Sequence, residues 1–133
     1  MAASKYDFVI EQGSSFRLSL VYKDANGDVI NLTGWCARLV WKTNNSATQV
    51  FSTENVDYSV YKFSIDPSLG KITLLIPANT TNGFSFNTAK YDLELKSDDD
   101  LYNGGGKSVI RLLFGIVSVV KRFSQTSDVL GCN

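Results

Sequence analysis

The chain has 133 residues, thirteen basic and thirteen acidic side chains, two cysteines and no histidine. At 14.7 kDa it fits one domain, large enough to bury a core without a metal or disulfide staple. Zero net charge argues against steering toward DNA, RNA or an anionic membrane and favours association over repulsion. The missing histidine excludes serine–histidine and cysteine–histidine catalysis within the chain, as well as any histidine-containing zinc site. Two cysteines cannot build an all-cysteine zinc site.

Residues 1–12 hold no long apolar run or cleavage pattern of a secretory signal. The first alternating stretch is Phe16, Leu18, Leu20 and Tyr22 against Arg17, Ser19, Val21 and Lys23, a half-buried strand. Asp24-Ala25-Asn26-Gly27-Asp28 follows as a turn, Val29 and Ile30 resume pairing, and residues 31–34 bend again. Residues 35–42 form the next strand, with Ala37, Leu39 and Trp41 on one face. Residues 43–47 are a turn, Thr48–Ser52 a short strand, and residues 58–65 another that Pro67 ends. Lys71–Ile76 is an apolar strand, and residues 78–86 are a loop or one helical turn.

Thr88–Lys96 alternates most cleanly, with Tyr91, Leu93 and Leu95 opposite Lys90, Asp92, Glu94 and Lys96. Residues 97–107 form a charged, glycine-rich loop tip. Residues 108–122 make a long final strand with a bulge expected at Gly115. Its apolar part, interrupted by Arg111, Gly115 and Ser118, is too short to cross a bilayer. Together these elements predict an all-β fold, an antiparallel β-sandwich of seven to eight strands, over residues 1–122 with a tail at 123–133.

Several groups invite a chemical reading. Asp24, Asn26 and Asp28 match the opening of a calcium loop, but Gly27 is one place early and Trp35 stands where a bidentate glutamate is needed. A hairpin turn explains the segment better. Asp98, Asp99 and Asp100 read as a solvated loop tip. Gly104-Gly105-Gly106-Lys107-Ser108 leads into a strand, where a phosphate loop needs a helix. Glu11, Asp57, Asp66 and Glu94 offer carboxylates, with nothing in the pattern that pairs two across a cleft. Cys36 and Cys132 are either a disulfide holding the tail or two unrelated thiols. Trp41 shares the face of Ala37 and Leu39 and reads as core, whereas Trp35, at the strand mouth, is the candidate exposed aromatic contact. Three Asn-x-Ser/Thr triplets begin at Asn31, Asn44 and Asn79 and mean little without a secretory signal.

A further pattern runs through Phe8-Val9-Ile10-Glu11-Gln12-Gly13, Phe16-Arg17-Leu18-Ser19-Leu20, Asp24 to Asp28, and Asn31-Leu32-Thr33-Gly34-Trp35 with Ala37-Arg38. It continues in Gly70-Lys71-Ile72-Thr73-Leu74-Leu75-Ile76, Tyr91-Asp92-Leu93-Glu94-Leu95 and the closing residues 111–119. In this order the pieces resemble the immunoglobulin-like modules of tailed-bacteriophage virion proteins, among them baseplate and tail-fibre-connector proteins and the N-terminal module of upper baseplate proteins. The resemblance implies an immunoglobulin-like sandwich that is a structural, non-enzymatic part of the virion tail, neck or baseplate. Such a part is made in the host cytoplasm, assembles in several copies with other virion proteins, and has no cofactor, metal, nucleic acid, membrane or small-molecule substrate. It transfers no catalytic or binding residues.

The expected assembly surface is the two chain ends, residues 1–6 with Lys5 and Tyr6, and residues 123–133 with Phe123, Val129 and Leu130, ordering on contact with partners. The alternatives are a capsid-decorating protein and a carbohydrate-binding module with Trp35, Tyr58 or Tyr61 exposed. The enzyme reading ranks last.

Overall fold

The structure, a computed structural model, describes residues 3–97 and 108–123. Among these, nine strands and one short helix follow in chain order: β1 (Ser4–Lys5), β2 (Phe8–Glu11), β3 (Phe16–Val21), β4 (Cys36–Thr43), β5 (Thr48–Ser52), β6 (Lys62–Asp66), β7 (Lys71–Ile76), α1 (Ala78–Asn82), β8 (Thr88–Lys96) and β9 (Val109–Val120). They form two sheets. One runs β9-β8-β4-β5, with β1 and β2 both laid along the free side of β9; the other runs β3-β7-β6. If β3 to β9 are lettered B, C, C′, D, E, F and G, these are the G-F-C-C′ and B-E-D sheets of the immunoglobulin arrangement.

The period-two pattern explains the layers. In β8, Ala89, Tyr91, Leu93 and Leu95 are buried while Lys90 and Lys96 are exposed and Asp92 and Glu94 are half-buried. The register sets Leu93 beside Leu39 and Tyr91 beside Trp41. Opposite them, β3, β6 and β7 contribute Leu18, Phe63, Ile72, Leu74 and Ile76 to the same continuous core. Burying these faces against each other is the main force that holds the sheets together. Among the described residues, no buried side-chain nitrogen or oxygen lacks a hydrogen-bond partner.

Two turns show how local chemistry closes the strands. Asp24 Oδ1 accepts hydrogen bonds from the amides of Asn26 and Asp28, at 2.9 and 3.0 Å, and folds the β3–β4 connection back so that Lys23 bridges Val29. Pro67 ends β6 in a 3₁₀ turn, and Gly70 closes it at φ 58. A Cβ there would sit 2.7 Å from the Ile30 carbonyl oxygen, so only glycine fits.

The all-β sandwich expected from the sequence is the fold observed, and four details differ. The sandwich is not wholly antiparallel, because β1 and β2 run parallel to β9. These two strands were not foreseen, and they raise the described total to nine. The strand expected from residue 58 starts only at Lys62, because Asn55 and Asp57 bond the nearby backbone and residues 58–60 form a turn. The irregularity in β9 lies at Leu112: Leu93 pairs with Leu113 and Glu94 with Arg111, so one residue of β9 is extra.

Gly115 has a different task. A Cβ there would run into the Tyr6 carbonyl oxygen and lie 2.6 Å from Asp7 Oδ1. Its missing side chain lets the N-terminal strand close onto β9.

Candidate interaction surface

The N-terminal strand is fastened at both ends. At the first, the Tyr6 amide donates to Phe114 O at 2.8 Å, the Tyr91 hydroxyl donates to Tyr6 O, and the Ile116 amide donates to Asp7 Oδ1 at 2.8 Å. Phe8 and Ile10 enter the core, where the Phe8 ring meets Phe16 and Tyr91 at 5.2 and 4.8 Å. Burial, then the Asp7 carboxylate and Tyr6, push the Tyr91 phenol up to about 12.

At the second end, the Gln12 side chain bridges the loop after α1 and the residues just beyond β9. Its Nε2 donates to Phe84 O at 3.0 Å and its Oε1 accepts from the Arg122 amide at 3.1 Å. Buried Thr81 accepts from the Gly13 amide and donates to Ser14 O, at 3.1 and 2.8 Å. The joint between β2 and β3 is thus tied to α1.

With Phe8 and Ile10 turned inward, Val9 and Glu11 face outward and are exposed. Val9, 55% exposed, pairs with Ser118, so Ile116 and Val120 are its diagonal neighbours, and both are exposed. Asp7 and Glu11 stand on either side of Val9 along the chain. This strip forms one edge of the larger sheet.

The outer face of the smaller sheet offers a second surface. Across its three strands, Arg17, Leu75 and Lys62 share one rung, and Ser19, Thr73 and Ser64 share the next but one. An open trough of about 330 Å³ is lined there by Phe16, Arg17, Tyr58, Lys62, Leu75 and Pro77. Beside it the loop between β5 and β6 turns Val56 (89% exposed), Tyr58 and Val60 to solvent. The loop is tied down: Asn55 Nδ2 donates to Asp57 O at 2.6 Å, the Ser59 amide to Asp57 Oδ1 at 3.1 Å, and Thr80 Oγ1 to Val60 O at 2.6 Å. The hydrogen bond from the Ser59 amide holds the Asp57 carboxyl below its usual range.

Charges are partnered differently on the two faces. On the larger sheet Arg38 pairs with Glu94 at 3.2 Å, and Arg111 lies 3.9 Å from Asp92 and over the Phe114 ring. A depression of about 490 Å³ beside Cys36 is lined by both members of the Arg38–Glu94 pair. Among the described residues, neither Arg17 nor Lys62 joins an ion pair. Lys62 Nζ lies instead 5.7 Å from the Tyr58 ring centre.

The candidate residues from the sequence are scattered. Lys5 pairs with Phe114 and Tyr6 is bonded to the same residue, so Ser4 to Tyr6 are already ordered within the single chain. Phe123 is fully exposed beyond the far end of β9, so it does not join Lys5 and Tyr6 in one surface. Val129, Leu130 and Cys132 lie outside the described residues, as do Asp98 to Asp100 and Gly104 to Lys107.

Trp35, the candidate exposed aromatic contact, is half-buried against the core and tilted on Tyr22 at 6.3 Å. Trp41 is core, packed between Phe51, Phe84 and Phe86. Tyr58 is half exposed, whereas Tyr61 is half-buried and its hydroxyl accepts from the Ser52 amide on the edge of β5. Asn31 uses its side chain to cap its own turn at Thr33. Of the four carboxylates considered, Glu94 is paired with Arg38, and Asp57 and Asp66 bond local groups at Ser59 and Ser68. Among the described residues, no three metal-ligating side chains gather at one point, and no helix is long and apolar enough to cross a membrane.

The surfaces built from Val9, Ile116 and Val120, and from Arg17, Val56, Lys62 and Leu75, were missed. Their signal was present in part, since Val9 and Leu75 sit at outward positions of alternating strands. Only the sheet order shows which cations share a rung.

The class defined by this arrangement is an all-β sandwich of two mostly antiparallel sheets. No family model matches the chain, and no curated protein shows significant sequence similarity to it.

Proposed function

We propose that the chain is a structural module of a tailed-bacteriophage virion, in the tail, neck or baseplate, that acts by subunit–subunit assembly. Support comes from the order of motifs between Phe8 and Val120 and from one structural observation. Large apolar side chains are held in solvent on firmly tied backbone, Val56 above all. Such exposure does nothing for the isolated fold. It suits a contact surface, because an ordered loop loses little further entropy when a partner covers it. The sheet edges, unpaired among the described residues, and the balanced charge fit the same role.

The test is peptide mass spectrometry with copy counting on density-purified particles and on separated heads and tails. Recovery in tails at a low multiple of three or six copies supports the reading. Hundreds of copies in heads would move the chain to capsid decoration. Recovery only in the soluble fraction would reject the virion role. In that case a glycan titration, read through the half-exposed Tyr58, becomes the next experiment.

A further inference from the structure

The two surfaces described above are complementary to each other. One is a rung of the smaller sheet with Leu75 at its centre and the cations Arg17 and Lys62 on either side. The other is the edge at residues 7–11, with Val9 at its centre and two carboxylates two residues away on either side, Glu11 and Asp7, whose Oδ1 already accepts the Ile116 amide while Oδ2 is left to face a cation. Each has an exposed aliphatic side chain between two like charges, and the charges are opposite in sign.

The spacings are compatible. Two residues along a strand cover roughly 6.5–7 Å, and adjacent strands lie about 4.8 Å apart. A β2 strand crossing β3, β7 and β6 would therefore set Val9 over Leu75. The acidic pair would then lie slightly outside the basic pair, within reach of the long Arg17 and Lys62 side chains. Phe16, Tyr58 and Pro77 complete the apolar walls of the trough.

The surfaces also cannot satisfy each other within one chain. β2 belongs to the larger sheet, and the trough lies on the outer side of the smaller one.

We infer that copies of this chain associate head to tail, the Val9 strip of one seating in the Arg17–Leu75–Lys62 trough of the next. The inference rests on the assembly reading above and names a second copy as the partner. The contact is heterologous, so it forms rings or open rows, and dimers are only its first step. Its small area makes it weak for isolated copies and effective where a scaffold brings them together.

Sedimentation velocity on the purified full chain, up to about 1 mM, tests this with three variants. The wild-type sedimentation coefficient should climb with concentration beyond the dimer. Arg17→Glu combined with Lys62→Glu, and separately Glu11→Lys, should each weaken self-association at least tenfold while leaving circular dichroism and Tm unchanged. Mixing these two proteins should restore the contact between the intact trough of one and the intact strip of the other, and so give a 1:1 complex that neither forms alone. Lys42→Glu combined with Lys96→Glu changes net charge as much as the trough variant but lies in β4 and β8, outside both the trough and the Val9 strip, and should associate like the wild type.

A wild type that stays monomeric throughout, a trough variant that associates normally, or a mixture that stays monomeric would each overturn the head-to-tail contact. None of these results bears on whether the chain is found in particles, so the virion reading stands or falls separately on particle fractionation.

Discussion

The Tyr91 hydroxyl donates to the backbone carbonyl of Tyr6, a residue 85 positions earlier in the chain. This bond joins the centre of β8 to the strand that lies on the far side of β9, passing where Gly115 has no side chain to obstruct it. Removing the hydroxyl with Tyr91→Phe leaves the carbonyl without its donor and should destabilise the fold by about 1–3 kcal/mol in denaturant unfolding. Hydrogen exchange at the Tyr6 and Ile116 amides should quicken more than exchange in β4.

The same phenol imposes an alkaline limit. Its folded pKa is raised to about 12, chiefly by burial, against an ordinary value near 10. The native state therefore favours the protonated form. That contribution is complete below pH 10 and is lost as pH rises from 10 toward 12, where the unfolded chain releases the proton first. Wild type should lose stability across this window relative to Tyr91→Phe, measured as the difference between their urea midpoints. Equal slopes for the two proteins would show that Tyr91 is not held protonated.

Gly115→Ala should act on the same clasp from the other side. The added methyl would collide with Tyr6 O and Asp7 Oδ1, and relief requires β1 to lift from β9. A loss of about 1–3 kcal/mol is expected, as for other overpacked sites. Amide exchange at Tyr6 should report the lifting.

Thr81→Val keeps the shape of the side chain and removes its hydroxyl. The Gly13 amide and Ser14 carbonyl lose their partner at the joint between β2 and β3. Destabilisation of about 1–3 kcal/mol is expected from thermal or urea unfolding. Thr81→Ser, which retains the hydroxyl, should recover most of it.

Calcium at millimolar concentration should leave Tm unchanged. Asp24 Oδ1 already accepts two backbone amides, and ion binding there would have to displace them. Asp24→Ala should lower stability by about 1 kcal/mol with or without calcium. A calcium-dependent rise in Tm that disappears in Asp24→Ala would restore the calcium-loop reading.

Much of the fold was legible because burial on one face of a strand imposes a period of two. Thr48–Ser52, Lys71–Ile76 and Thr88–Lys96 coincide with the strands observed, and residues 78–86 contain the single helical turn allowed for. β2 was hidden because its alternation lasts only four residues, Phe8 to Glu11. Its parallel pairing was hidden for a different reason: partner and direction depend on β9, more than a hundred positions away. Trp35 looked like an exposed contact because its place at a strand mouth says nothing of Tyr22, against which it folds.

From the sequence alone follow the absence of histidine chemistry, the balanced charge, the all-β class and most of the inward-facing residues, because each depends on composition or on local alternation. The tertiary structure decided which strands are neighbours, and with that everything that spans strands. It laid the N-terminal strand parallel to the last one, gave Gly115 its role, and set Arg17 and Lys62 on either side of Leu75. Relations of this kind link residues far apart in the chain, and they arise only when two sheets close over one core.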